Sequence, residues 1–266
     1  MPLHLTPTFR DALAAERTRR TDHRPLAGMW VCTGSPLVAE ICAGSGLDWL
    51  LVDMEHSPNG LESVLAQLQA VAAYPVSPVV RVPSGDAVLI KQVLDVGAQN
   101  LLVPMVSSAD EAEAVVAAVR YPPRGRRGVG SALARSARWN RVDRYLQDAD
   151  AHVSVFVQIE TAEGVAAADA IAAVDGVDGV FVGPSDLAAS MGLIGEQSHP
   201  DVVAAVHRTF EAVRAAGKPV GVNAFDAALA RSYVAAGASF VLVGADVAIL
   251  ARGSEALAGR LAPAAR

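Results

Sequence analysis

Short apolar runs alternate with longer Ala-rich stretches along this chain, and the alternation occurs eight times. The runs are Ala27 to Cys32, Trp49 to Asp53, Pro78 to Arg81, Asn100 to Pro104, Val153 to Ile159, Val177 to Val182, Pro219 to Val222 and Phe240 to Val243. Each is rich in Val, Leu or Ile, the pattern of a strand buried on both faces. Between them apolar residues recur at three and four positions. Leu61, Val64, Leu65, Leu68 and Val71 form one such stripe, and Ala112, Val115, Val116 and Val119 form another. Both stripes predict amphipathic helices. Gly97, Gly217 and Gly237 stand where helices should stop, each a few residues before the next run, and predict left-handed C-caps.

Strands alternating with helices require a parallel sheet with crossovers. Eight units predict a closed (β/α)8 TIM barrel, because no G-x-G-x-x-G follows the first run to favour an open dinucleotide-binding sheet. A length of 266 residues allows two domains at roughly 100 to 200 residues each, but α/β barrels use about 250 for one. The expectation is a single barrel domain over 1–266, with an N-terminal extension, 1–25, and an insert, 121–150. That insert carries seven of the twenty arginines.

Composition narrows the function classes. The net charge of −6 gives no electrostatic reason to expect a nucleic-acid or anionic-membrane partner. Cys32 and Cys42 lack the number and spacing of a disulfide framework or zinc site and read as small apolar side chains. The first 24 residues mix acids and arginines without an apolar core, and no apolar stretch reaches about 18 residues. A cytoplasmic, soluble protein is expected.

In a barrel of this kind the chemistry sits at the C-terminal strand ends. The second run ends in Asp53, Glu55 and His56, the third in Arg81, and the fifth in Gln158, Glu160 and Thr161. The sixth leads to Gly183, Pro184, Ser185 and Asp186, the seventh to Asn223, the eighth to Gly244 and Asp246. Glu160 and Asp186 would repel in one small site unless a cation lies between them. Oxygen-only ligation suits Mg²⁺ or Mn²⁺; the alternative for Asp186 is a helix cap. His56, three residues after Asp53, suits a general acid or base oriented by that carboxylate. Arg81 leaves a buried strand end, where its fork meets either an oxyanion or an internal acid. The remaining histidines, His4, His23, His152, His199 and His207, read as structural or surface residues.

These residues sit in Trp49-Leu-Leu-Val-Asp-Met-Glu-His-Ser-Pro-Asn59, Pro78-Val-Val-Arg81, Leu102-Val-Pro-Met105, Arg127-Gly-Val-Gly-Ser-Ala-Leu-Ala-Arg135, Val157-Gln-Ile-Glu-Thr161 and Gly179-Val-Phe-Val-Gly-Pro-Ser-Asp-Leu187. In that order, from about Leu26 to Leu261, the sequence resembles the HpcH/HpaI family of metal-dependent pyruvate aldolases. The resemblance implies reversible cleavage of 4-hydroxy-2-oxo acids, such as 4-hydroxy-2-oxoheptanedioate or 2-keto-3-deoxy sugar acids, to pyruvate and an aldehyde. It implies a divalent ion (Mg²⁺, Mn²⁺ or Co²⁺) held by Glu160 and Asp186, and no organic cofactor. Gln158 and the backbone near Gly183, Pro184 and Ser185 would hold the substrate carboxylate. Arg81 would face the developing enolate, and His56, oriented by Asp53, would take the C4 hydroxyl proton. A homohexamer, a trimer of dimers with the C-terminal helix exchanged between subunits, is also implied.

Independently of that likeness, the only lysines, Lys91 and Lys218, end no predicted strand, which disfavours a Schiff-base aldolase. Two departures stand out. Asn223 replaces an apolar residue expected in heptanedioate-cleaving members and points toward hydroxypyruvate as donor. Val82 to Asp86 lacks an aromatic residue associated with that loop. The seven insert arginines, Arg124, Arg126, Arg127, Arg135, Arg138, Arg141 and Arg144, are expected either to make intersubunit ion pairs or to attract anionic substrate, with the structural role favoured for most of them. The rival readings are a citryl- or malyl-CoA lyase and a catalytically silent metabolite-binding barrel.

Overall fold

A computed structural model describes residues 3–19 and 24–260; His23, and the ends of the segments assigned above that fall outside these ranges, are not described. Eight parallel strands close into one barrel in sequence order. They are β1 (Leu26–Val31), β2 (Trp49–Asp53), β3 (Ser77–Arg81), β4 (Asn100–Val103), β5 (Ser154–Ile159), β6 (Gly179–Val182), β7 (Val220–Asn223) and β8 (Phe240–Ala245). Every one of the eight apolar runs is a strand, with ends within two residues of those expected.

The helices are α1 (Phe9–Arg19), α2 (Pro36–Ala43), α3 (Leu61–Ala70), α4 (Ala87–Asp95), α5 (Ala109–Val119), α6 (Tyr145–Asp148), α7 (Ala162–Ala166), α8 (Ala168–Ala173), α9 (Pro184–Ser190), α10 (Pro200–Ala215), α11 (Ala227–Ala235) and α12 (Asp246–Gly259). Both predicted stripes are helical, in α3 and α5, with Val64, Leu68, Val115 and Val116 buried against the strands. Gly97, Gly217 and Gly237 adopt φ of 103°, 75° and 105°, the left-handed conformation that stops a helix.

Alternation along each strand sends every second side chain into the barrel. At its lower end these are large: Trp49, Phe156, Phe181 and Phe240 meet with ring centroids 5.4 to 6.5 Å apart. Phe9 of α1 closes this end, its ring 5.1 Å from Trp49 and 5.2 Å from Phe156. Five of the chain's thirteen aromatic residues thus meet in one plug. Room for the rings comes from glycine: a Cβ on Gly28 would collide with the Trp49 indole, and one on Gly221 with Phe240. Above the plug, the same inward-facing register carries polar residues.

The insert between α5 and β5 folds against the lower barrel. Arg127 is fully buried and pairs with Asp95 at 3.1 Å, Arg124 with Asp150 at 2.7 Å and Arg144 with Asp148 at 3.3 Å. Arg126 and Arg135 donate to the carbonyls of Ala114 and Val96, and Arg138 to that of Arg135. These six engage groups of their own chain, in keeping with the structural role expected of most of them.

Candidate active site

The upper mouth of the barrel holds a cavity of about 300 Å³, lined among others by Trp30, Cys32, Asp53, His56, Arg81, Gln158, Gly183, Pro184, Ser185, Asp186 and Asn223. A larger cavity, about 470 Å³, lies at the other end of the strands, around Arg10, Arg120, Asp178 and Lys218. The strand-end chemistry converges only on the first.

Register builds the centre of the site. Asp53 and Arg81 are paired positions of the parallel β2 and β3, so both side chains leave their strands inward and side by side. Arg81 Nε donates to Asp53 Oδ1 at 2.8 Å and Nη2 to Oδ2 at 2.9 Å, with both residues buried. Arg81 Nη1 lies 2.7 Å from Glu55 Oε2. The guanidinium also sits 4.3 Å above the Trp30 ring. Of the two partners open to Arg81, the structure therefore shows internal acids. The pair is almost fully buried, open only toward the cavity, so its geometry is strongly held: removing one partner would leave an uncompensated buried charge.

Asp53 does not orient the His56 imidazole, as the sequence reading expected. Its carboxylate accepts the backbone N–H of Glu55 at 3.0 Å and of His56 at 3.2 Å besides the Arg81 fork. Asn59 and Ser57 donate to the Asp53 carbonyl, tying the loop down. The physical reason is spacing: three residues after a strand end, a tight turn brings the amide of His56, not its ring, to the carboxylate. The carboxylate nearest the ring is Glu55, with Oε2 3.9 Å from Nε2. The His56 side chain is 66% exposed at the rim of the cavity. Burial pushes the Glu55 carboxyl up, with Arg81 and His56 acting against that shift.

Glu160, just past β5, is buried, and burial pushes its carboxyl up to about 7, against hydrogen bonds that favour the anion. Gln158 Nε2 donates to Oε2, and the Met105 backbone N–H donates to Oε1 at 2.8 Å. Met105 holds this N–H in place at φ 58°, a left-handed conformation uncommon for a methionine. Nothing in the sequence signals that contact. Gly183 makes the approach possible, since a Cβ there would stand 2.6 Å from Glu160 Oε2 and 3.0 Å from Gln158 Nε2. Asp186 lies exposed in the first turn of α9, and its charge adds to the upward shift on Glu160.

These two carboxylates fit a hard divalent ion. Glu160 is a buried anion without a positive partner, and a cation beside it would offset the desolvation. Among the described residues no group of three or more His, Cys, Asp or Glu converges to enclose a metal. Two protein ligands leave the other positions of an octahedron to water and substrate oxygens.

Gln158 and Gly183 are placed differently from the expectation that both hold a carboxylate. Gln158 presents its N–H to Glu160 and keeps Oε1, an acceptor, buried without a partner. Gly183 donates its N–H to Ile159 O at 3.2 Å, and Pro184 has none to give. The free donors of this turn are the amides of Ser185 and Asp186, which an α9 start leaves without intrahelical partners. Asn223 stands beside Gly183, because Val182 and Val222 pair in β6 and β7. Its Oδ1 accepts the indole N–H of Trp30 at 2.9 Å. Trp30 was missed in the sequence, where it reads as one more apolar strand residue.

The other strand-end acid, Asp246, accepts the amides of Cys32 and Thr33 at 2.9 and 3.0 Å and fastens β8 to the loop after β1. Burial pushes the Cys32 thiol up to about 12, so it stays protonated at neutral pH. Neither lysine reaches the mouth: Lys91 lies on α4, and Lys218 donates to Val174 O at the opposite end. Of the remaining described histidines, His152 stacks on Tyr145, His199 caps α10 and His207 packs against Phe210 and Tyr233.

Comparison with known proteins decides the family. The model of the HpcH/HpaI aldolase/citrate lyase family matches residues 26–252, the whole barrel and the first half of α12. The chain belongs to this family. Among its relatives, 4-hydroxy-2-oxo-heptane-1,7-dioate aldolase of Salmonella heidelberg (strain SL476) is 53% identical over 252 residues, which cover 95% of this chain and 93% of the relative. A crystal structure of an HpcH/HpaI aldolase/citrate lyase family protein from Burkholderia cenocepacia J2315 superposes with a TM-score of 0.87 at 42% identity, covering 93% of this chain and 98% of that one. The HpcH/HpaI aldolase from Desulfitobacterium hafniense DCB-2 gives 0.85 at 28% identity, with coverages of 97% and 99%. The family match thus spans the four strand aromatics of the plug, the Asp53–Arg81 pair and the Glu160 strand end together.

Proposed function

We propose that this chain is a divalent-metal-dependent aldolase, a carbon–carbon lyase that reversibly cleaves 4-hydroxy-2-oxo acids to pyruvate or hydroxypyruvate and an aldehyde. The observation that carries the reading is that a buried, rigidly held Arg81 and Asp186 line one small cavity at the strand ends, with the buried Glu160 carboxylate directly behind its wall, bonded to the lining residue Gln158 and feeling the charge of Asp186. The relatives' activity supports the same class of substrate.

Glu160 and Asp186 would hold the ion, Mg²⁺, Mn²⁺ or Co²⁺, which when bound supplies Lewis-acid stabilisation of negative charge on the 2-oxo group. The amides of Ser185 and Asp186 receive the substrate carboxylate. His56 takes the proton of the C4 hydroxyl, the C3–C4 bond breaks as the aldehyde carbonyl forms, and its electron pair passes into the enolate of the 2-oxo acid. Arg81 presents fixed positive charge to that enolate, its fork prevented from turning away by Asp53 and Glu55. C3 then takes a proton from solvent water to release the 2-oxo acid, and the exposed imidazolium of His56 gives its proton back to solvent, restoring the neutral base. In the synthetic direction His56 returns its proton to the new alkoxide.

A screen of short and long 4-hydroxy-2-oxo acids with added Mn²⁺, read by coupling pyruvate release to lactate dehydrogenase, is expected to show turnover. A complete lack of pyruvate, alongside activity on a citryl- or malyl-CoA thioester, would replace the aldolase by the CoA lyase.

The assembly belongs to the same proposal. Helix α12 runs for 14 residues with only Asp246 buried, and leaves Val247, Ile249, Leu250 and Leu257 exposed on a helix that its own barrel does not cover. An apolar helix face of this kind needs a partner surface, and exchange with a neighbouring subunit in a homohexamer supplies one. Light scattering is expected to give six copies, and Ile249→Asp with Leu250→Asp to give smaller species; a monomeric wild-type chain would refute the assembly. No helix of the described residues is long and apolar enough to cross a membrane, and we place the enzyme in the cytoplasm, acting on small molecules without a nucleic-acid or membrane partner.

A further inference from the structure

Two side chains beside Gly183 have hydrogen-bonding groups that the protein leaves free, and they are of opposite kind. An indole N–H can only donate, so Trp30 Nε1 at 2.9 Å fixes the Asn223 amide with its oxygen toward the ring. The NH₂ group is thereby left to the cavity that Asn223 lines, and it has no partner among the described residues. On the other flank, Gln158 donates to Glu160 and keeps Oε1 buried without a donor. Gln158 is 2% exposed, and its amide stands against the space that a Gly183 side chain would fill.

We infer that Trp30, Asn223 and Gln158 form a specificity device that selects a donor 2-oxo acid bearing a hydroxyl on C3. This rests on the aldolase reading above and names the donor. With the donor's carboxylate at the α9 start and its oxo group toward Arg81, C3 is the remaining carbon of a three-carbon acid, beside Gly183 and between the two amides. A hydroxyl satisfies both, accepting from Asn223 Nδ2 and donating to Gln158 Oε1. A methyl group satisfies neither and leaves the Gln158 acceptor buried and unpaired, the arrangement by which sites reject an analogue lacking the hydroxyl. Trp30 acts through Asn223 as a positioning residue. Without the indole N–H, the amide is free to turn its oxygen to the cavity.

The test measures kcat/KM in the synthetic direction for hydroxypyruvate and for pyruvate, each with Mn²⁺ and propionaldehyde. Wild-type enzyme is expected to prefer hydroxypyruvate by at least about tenfold. Trp30→Phe keeps a ring under Arg81 but removes the N–H, and is expected to bring the ratio of the two kcat/KM values toward one. Asn223→Leu is expected to remove the preference, and the double variant to behave as Asn223→Leu alone, because the indole works only through the amide. Pyruvate used as well as hydroxypyruvate by the wild type, or a ratio untouched by Trp30→Phe, overturns the inference and leaves the aldolase standing. Turnover of neither donor removes the aldolase reading and this inference with it.

Discussion

Arg81→Lys is expected to lower kcat/KM for cleavage about 10²- to 10³-fold, the magnitude of losing one fixed donor at a developing oxyanion. The change conserves charge but not shape. Arg81 meets both oxygens of Asp53 with two parallel donors and Glu55 with a third nitrogen, while its plane lies over Trp30. An ammonium has neither the fork nor the flat face, so it cannot keep all three contacts. Asp53 would then be a buried carboxylate with fewer partners, and stability should fall by about 2 to 4 kcal/mol. Steady-state kinetics and denaturant unfolding check the two effects separately. Asp53→Asn should show a similar loss of stability, since it removes the charge that pairs with the buried guanidinium. Full activity in Arg81→Lys would mean that this cation serves only to hold the strands together.

The barrel was legible because its strands are buried on both faces. Runs such as Trp49 to Asp53 and Val153 to Ile159 are short, largely apolar and rich in Val, Leu and Ile, and glycines such as Gly97 close the helices between them. The rim was legible for the same reason, since a charged residue ending a buried run has few other purposes. What the chain order does not carry is pairing across strands. That Arg81 meets Asp53 depends on the β2–β3 register, and that Trp30 meets Asn223 depends on closure of β1 against β8 and β8 against β7. Asp53 and His56 are near in sequence, but the turn between them brings the His56 amide and not its ring to the carboxylate. Met105 left no sequence trace at all, because its contribution is a backbone amide in an unfavourable conformation.

Glu160→Gln is expected to reduce kcat at least about 10³-fold and to abolish the dependence of activity on added metal. A Lewis acid contributes several kcal/mol to stabilising charge in the transition state, and each 1.36 kcal/mol is a factor of ten. Exhaustive chelation of the wild-type enzyme should produce a comparable loss, restored by Mn²⁺, Co²⁺ or Mg²⁺; activity indifferent to chelation would sink the metal mechanism. The stability readout should move the other way. In the metal-free protein Glu160 is a buried carboxylate whose nearest charged neighbours, Asp186 and Glu55, are acids. Glutamine keeps the shape and still accepts the Met105 amide through its oxygen, but it removes the cost of burying that charge. Its NH₂ then faces the Gln158 amide, which can turn its own free oxygen to receive it. Metal-free Glu160→Gln is therefore expected to melt at or above the temperature of the metal-free wild type. Added Mn²⁺ should raise the melting temperature of the wild type alone, since only a ligand that binds the folded state stabilises it. A variant that loses activity and also melts far below the metal-free wild type would instead assign Glu160 to the framework of the mouth. Activity lost with metal-free stability retained assigns it to the ion.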